Sequence, residues 1–226
     1  MTSIQSLVQG AYFGRGIAVG CKDNKVGFAY FVTGRSENSK NRVLTERATG
    51  VYTEPFDPKL CSDPSLIIYR AVAYLSDRVI VTNGDHTDTV VQAGKGRFFD
   101  ALKTRLYEPD GPIFTPRIAA EIDKKTGEYS LAILKRGDEG ECLRELFLYE
   151  PTDGVGRLVT TYDGTTEVKA FLGEPKVFSM PESAEGLAME IWRGLEPAFR
   201  VGVYCCYLDL ISGKIEKIIV NEKGKK

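Results

Sequence analysis

Short runs rich in β-branched and aromatic residues recur along this chain, separated by polar turns. Such residues suit a pleated, half-buried surface, so residues 27–33, 66–73, 78–82, 117–122 and 129–135 read as strands. Residues 145–149, 157–162, 199–210 and 214–220 repeat the pattern, and residues 124–127 and 211–214 form hairpin-like turns between such runs. Two stretches change to helical spacing. Residues 87–106 bring Val91, Phe98, Leu102 and Leu106 near one face, although Gly94 and Gly96 weaken the middle. Residues 183–195 open on a cap-like Ser183 and carry Leu187, Ile191 and Leu195 at intervals of four. Hairpin-joined strands with helices between them predict an α+β layered fold, not alternating βαβ units. No linker or internal repeat divides the chain, so residues 1–226 are expected to form one domain.

Composition adds mainly exclusions. At 226 residues the chain can bury roughly 70% of its unfolded surface and needs no covalent staples. Its 23 glycines point to many tight turns. Thirty Lys and Arg against 31 Asp and Glu leave a formal charge of −1, which gives no global field for capturing nucleic acid or an anionic membrane. Any anion site must be a local cluster of arginines. Residues 221–226 form a short basic tail, expected to be a frayed terminus. The five cysteines lack CxxC spacing, and the chain shows neither a leader pattern nor an apolar run long enough to cross a bilayer. Reduced thiols in a cytoplasmic protein are expected. The adjacent Cys205 and Cys206 lie in an apolar extended run and should face opposite ways.

Four segments could carry chemistry. Residues 14–20 (GRGIAVG) lack the third glycine of a dinucleotide fingerprint and read as a glycine-rich turn; there is no GxxxxGK[ST] sequence. Residues 33–42 concentrate Arg35, Lys40 and Arg42 with Ser36, Ser39 and Asn41, groups able to hold a phosphate or to form an exposed basic loop. Residues 83–89 (NGDHTDT) lie where a strand ends and a helix begins. They offer Asn83, Asp85 and Asp88 to a ligand, or simply a turn and a helix cap. The lone His86 has no partners for a zinc site, so no metal is expected. Glu108 with Arg117 could supply a proton-transfer group and an anion contact, or an exposed carboxylate at a helix end.

The segments YFGRGIAVG, TGRSENSKNR, LIIYRAV, VTNGDHTDT and YEPDGPIFTPRIAAEI, in this order, resemble the archaeal-type IMP cyclohydrolase family. They span residues 12–122, and the later residues match only as a pattern of strands and helices. The resemblance implies a four-layer αββα sandwich similar to N-terminal-nucleophile hydrolases, with largely antiparallel sheets. Residues 1–11 would precede the family pattern and displace Thr2 from any nucleophile position. The implied reaction closes a formamido-imidazole-carboxamide ribonucleotide (FAICAR) to IMP with loss of water, without a cofactor. Carried over residue by residue, the catalytic positions are Arg42, Tyr69 and Glu108. Asn83, Asp88 and Arg117 are then substrate contacts, with Arg35, Ser36 and Asn41 toward the ribose or phosphate. A non-catalytic nucleotide binder and an amidohydrolase for another small substrate are the alternatives, and a homo-oligomer stays open.

Overall fold

The computed structural model describes residues 1–10, 12–61 and 67–224. Among the described residues, thirteen strands form two antiparallel sheets. The first sheet contains β1 (Arg15–Lys22), β2 (Lys25–Thr33), β10 (Val155–Thr160), β11 (Lys176–Ser179), β12 (Arg200–Asp209) and β13 (Ile215–Asn221). Its order is β11-β10-β1-β2-β12-β13. The second holds β3 (Arg42–Arg47), β4 (Gly50–Pro55), β5 (Tyr69–Tyr74), β6 (Arg78–Thr82), β7 (Arg117–Asp123), β8 (Tyr129–Arg136) and β9 (Cys142–Tyr149), side by side in chain order. The helices are α1 (Ile4–Leu7), α2 (Glu37–Lys40), α3 (His86–Ala93), α4 (Phe98–Lys103) and α5 (Ala184–Gly194). None of them is long and apolar enough to cross a membrane.

Side-chain parity sorts the residues into layers. Successive side chains of a strand point to opposite faces, so each buried strand supplies two cores. Ile17, Val19, Phe28, Tyr30 and Tyr204 of the first sheet meet Val79, Val81, Ile118, Ile122, Leu131 and Ile133 of the second in a central core. The opposite parity of the first sheet, Ala18, Ala29, Phe31 and Val203, packs under α1 and α5 through Ile4, Leu187, Ala188 and Ile191. Ala73, Ile80, Ala119 and Ala132 of the second sheet pack under α3 and α4 through Val90, Phe98, Ala101 and Leu102. The result is helices, sheet, sheet, helices. Cys205 joins the outer core and Cys206 the central one, as their adjacency in an extended run requires.

Three details depart from the sequence reading. Residues 15–22 are strand β1, not a glycine turn. Its glycines serve packing: a Cβ on Gly16 would fall 2.1 Å from the Phe31 ring, and one on Gly20 would fall 2.5 Å from the Gly156 backbone. Only Gly14, just before the strand, needs left-handed backbone, at φ +71°. The long helix over residues 87–106 is two helices, broken where Gly94 and Gly96 adopt φ +88° and +72°. Strands β3, β4 and β11, short and rich in charged or polar residues, gave no strand signal. Of the remaining expectations, Leu66 and residues 225–226 lie outside the described residues, whereas Asn221 is tied to β3 through both hydrogen bonds of its amide with Leu44.

Candidate active site

One end of the sandwich gathers the chemistry. The antiparallel ladders place the start of β1 beside the ends of β2 and β10, and the starts of β5 and β7 beside the end of β6. Arg15, Tyr30, Arg42 and Tyr69 share the parity of Ile17, Phe28, Leu44 and Ala71, so all four point between the sheets at this end. The hydroxyls of Tyr30 and Tyr69 share a hydrogen bond of 2.6 Å across the gap. Arg42 is buried. Its Nε donates to the Ser39 carbonyl at 2.7 Å, and its Nη2 reaches the Thr33 carbonyl at 3.4 Å.

Glu108 is not the exposed helix-end carboxylate that its sequence context allows. It is only 3% exposed, and its Oε1 accepts from Arg15 Nη2 at 2.6 Å. Burial lifts the Glu108 carboxyl above its usual range, while the positive charges of Arg15 and Arg117 pull against that rise. Burial also works against the Arg15 charge, but Glu108 beside it keeps the guanidinium protonated. The nearby charges of Arg15 and Arg42 pull the Tyr30 phenol downward, against its burial. Burial raises Tyr30 far above the ordinary phenol range, which makes it a hydrogen-bond donor at any ordinary pH.

Residues 83–89 border Glu108 through backbone. A Cβ on Gly84 would lie 2.7 Å from Arg117 Nη1 and 3.5 Å from Glu108 Oε1. Gly84→Ala should therefore push the Arg117 guanidinium aside and reduce turnover by roughly 10–100-fold. The check is a comparison of kcat and melting temperature: a fall in stability with kcat unchanged would refute the effect on the site.

His86 holds this corner in place. Its Nδ1 accepts from Arg117 Nη1 at 3.1 Å, so its Nε2–H donates to the Ile118 carbonyl, also at 3.1 Å. Burial and the Arg117 charge push the imidazole from 6.5 down to about 3. Between those values the unfolded chain takes up a proton that the folded chain refuses. Stability contributed by neutral His86 is thus full above about pH 6.5 and is lost as pH falls toward 3, at ~1.4 kcal/mol per unit. Urea unfolding from pH 7 to 4 should show wild type losing stability more steeply than His86→Gln; parallel slopes would rule this out.

The other expected contacts are dispersed. Asn83 spends its amide on backbone, donating to the Pro116 carbonyl and accepting from Ile118 N–H. Arg117 is buried and bonds the Leu106 carbonyl and Asp85. Asp85 occupies the cap position of α3 but turns its carboxylate to Arg117 and Arg105, making no cap bond. Asp88 is exposed and paired with Arg70. Ser36 caps α2 in a reciprocal bond with Ser39, and Asn41 clamps the backbone of Asp57 through two bonds. Arg35 is exposed and lies 4.7 Å over the Tyr12 ring, which stacks on Tyr162. Tyr162 in turn shares a hydrogen bond of 2.7 Å with Thr115. Arg15, Tyr30 and Tyr162 are the residues that sequence reasoning missed. Arg15 was visible within YFGRGIAVG, but only the strand parity with Ile17 and Val19 reveals where it points.

A cleft of about 470 Å³ opens at the opposite end of the sandwich, lined by Arg78, Lys95, Glu121, Asp123, Tyr129 and Tyr149 among others. Its charges already pair with one another, Arg78 with Asp77 and Glu121, and Lys95 with Asp77 and Asp123. Thr2 sits by Ser179, whose N–H bonds its carbonyl, about 20 Å along the sheet from Arg15 at ~3.3 Å per residue. Among the described residues no group of three or more His, Cys, Asp or Glu could hold a metal ion.

Comparison with known proteins bears on this end of the molecule. Residues 12–209 match the model of a family described as IMP cyclohydrolase-like protein. The chain belongs to this family. The IMP cyclohydrolase of Methanothrix thermoacetophila is 31% identical over 186 residues, covering 79% of this chain and 88% of its own. That of Thermococcus kodakarensis is 29% identical over 189 residues, covering 80% and 86%. That of Methanosphaera stadtmanae is 32% identical over 137 residues, covering 57% and 66%. The family match begins at Tyr12 and runs to the end of β12. It thus takes in β8 to β12, whose sequence alone resembled the family only loosely, and every residue that lines the Arg15–Glu108 end.

Proposed function

We propose that this chain is an IMP cyclohydrolase, closing FAICAR to IMP at the Arg15–Glu108 end of the sandwich. Support comes from the family match over residues 12–209 and from relatives about 30% identical over most of their length that carry this name. The observation that carries the site assignment is the buried Glu108, set beside the paired hydroxyls of Tyr30 and Tyr69 through Arg15. Two antiparallel sheets between helical layers also suit the N-terminal-nucleophile-hydrolase-like architecture that the family resemblance implies.

The substrate carries both reacting arms, so the protein need only hold them in a near-attack geometry and move protons. The carboxamide nitrogen attacks the formyl carbon, forming the C–N bond of the new ring. Glu108 takes the proton that this nitrogen loses. The formyl oxygen becomes an oxyanion, which the Tyr69 hydroxyl stabilises by donating a hydrogen bond, with Tyr30 bonded behind it. Arg42 orients the carboxamide with the guanidinium edge that Ser39 and Thr33 leave uncommitted. Glu108 returns that proton to the oxyanion, and the resulting hydroxyl leaves as water, taking the proton of the former formamide nitrogen as the C–O bond breaks and the ring C=N bond forms. Asn83 and Arg117 shape the wall behind Gly84. Arg35 is the group for the ribose phosphate, where a local arginine compensates for a near-neutral chain, while Ser36 and Asn41 act only by fixing the loop that carries it.

The test is incubation of the purified protein with FAICAR, without nucleotide triphosphate or added metal, following IMP by chromatography. IMP must form faster than in a protein-free control. If the rate only equals that control while IMP raises the melting temperature, the chain is a nucleotide binder and the proposal falls.

A further inference from the structure

Arg15 lies outside the catalytic set carried over from the family, yet its guanidinium makes the closest contact to Glu108. It leaves the first residue of β1, points between the sheets and donates to Glu108 Oε1 at 2.6 Å, joining positions 93 apart in sequence. Its side chain is 9% exposed, its backbone N–H is fixed by Thr161 Oγ1, and its Nε is buried without a hydrogen-bond partner. A buried arginine with an unsatisfied donor is costly to keep, and the central core could instead have closed over an apolar residue at this position.

We propose that Arg15 is the positioning residue of this site, holding Glu108 as an aimed carboxylate so that it acts as a base. This rests on the reading of Glu108 as the proton acceptor. The groups around Glu108 make the assignment specific. Arg117 reaches it from β7, but Arg117 Nη1 is already shared between Asp85 and His86 Nδ1. His86 is neutral and adds no charge. Asp110, on the same loop, opposes ionisation of Glu108, although its carboxylate is occupied by Thr115 through backbone and hydroxyl. Tyr162 also bonds Thr115 and stays protonated, its phenol raised to about 12. Tyr30 and Tyr69 also lie near Arg15 and share a hydrogen bond, and burial keeps the Tyr30 phenol protonated. Only Arg15 gives Glu108 a direct cationic hydrogen bond among the described residues.

A base must be ionised, so the turnover profile should have an acidic limb set by Glu108. Removing the Arg15 charge moves that limb to higher pH. In Arg15→Met the limb of kcat against pH should rise by about one unit or more, a tenfold loss of ionised carboxylate at a fixed pH on that limb. Arg15→Lys should return the limb toward wild type while the plateau stays lowered, because an ammonium restores the charge but not the planar fork. The Glu108 carboxyl carbon, followed by NMR with labelled glutamate, should titrate in step with the limb in each variant. A merely structural arginine would lower kcat by one factor at every pH and leave that titration unmoved, which would overturn the proposal. Should Arg15→Met fail to fold, the wild-type protein still decides. Its Arg15 side-chain nitrogens should shift through the Glu108 titration, and no response would overturn the proposal. Because the NMR readout needs no substrate, it stands apart from the assay of FAICAR turnover.

Discussion

Glutamine at position 108 should reduce kcat for FAICAR ring closure by roughly 10²- to 10⁴-fold, the usual worth of a positioned acid–base group. The substitution keeps the size and shape of the side chain. A glutamine oxygen can still accept the Arg15 hydrogen bond, so the 2.6 Å contact loses charge but not connection. The neighbouring wall, built from Arg117, His86 and the backbone of Gly84, has no reason to move. KM should therefore change little, and the loss should fall on the chemical step. Steady-state kinetics with FAICAR provide the check, alongside a melting curve to verify the fold. A kcat within about threefold of wild type would remove Glu108 from the chemistry and leave Arg15 without a catalytic client.

The second large effect concerns stability and lies on the far side of the first sheet. Ile191 sits on α5, fully buried against that sheet with Leu187, Ala188 and Val203 around it. Truncation to alanine removes three carbons from a layer whose other wall is a sheet, which cannot collapse into the gap. The expected cost is about 2–5 kcal/mol. For a chain of this length that lowers the melting temperature by roughly 5–15 °C. Activity per folded molecule at low temperature should stay at the wild-type value, since the site opens between the sheets and α5 packs on the outer face. Thermal unfolding and kinetics on the same preparation would test both halves. A variant that melts normally would show that α5 is not the cover of that core.

What could be read from the chain alone follows from how each signal is encoded. Strands that bury both faces, such as β2 and β12, advertise themselves through uninterrupted apolar runs, and they emerged close to their true limits. Strand β1 did not, because Gly16 and Gly20 look like punctuation until Phe31 and the Gly156 backbone are seen pressing on them. Strands β3 and β4 at the sheet edge owe their order to pairing between positions such as Arg42 and Pro55, and pairing leaves no trace in composition. The site shows the same division. Arg42, Tyr69 and Glu108 came from resemblance to a family, whereas residue chemistry alone favoured an exposed Glu108. Burial reverses that reading, and the partner that meets the buried carboxylate, Arg15, arrives from a strand 93 positions away. Ser36 and Asn41 drew notice as polar groups in a basic loop. In the fold their side chains are engaged in the cap of α2 and the clamp on Asp57.

The vicinal cysteines of β12 have a use of their own. Cys205 is sealed beneath the α5 layer and Cys206 lies between the two sheets, both as free thiols. Neighbours in the chain thus report on different seams of the molecule. A thiol reagent reaching Cys205 senses helices lifting from a sheet, and one reaching Cys206 senses the sheets parting. Pulse labelling during unfolding would read out which seam yields first, through thiols the chain already carries.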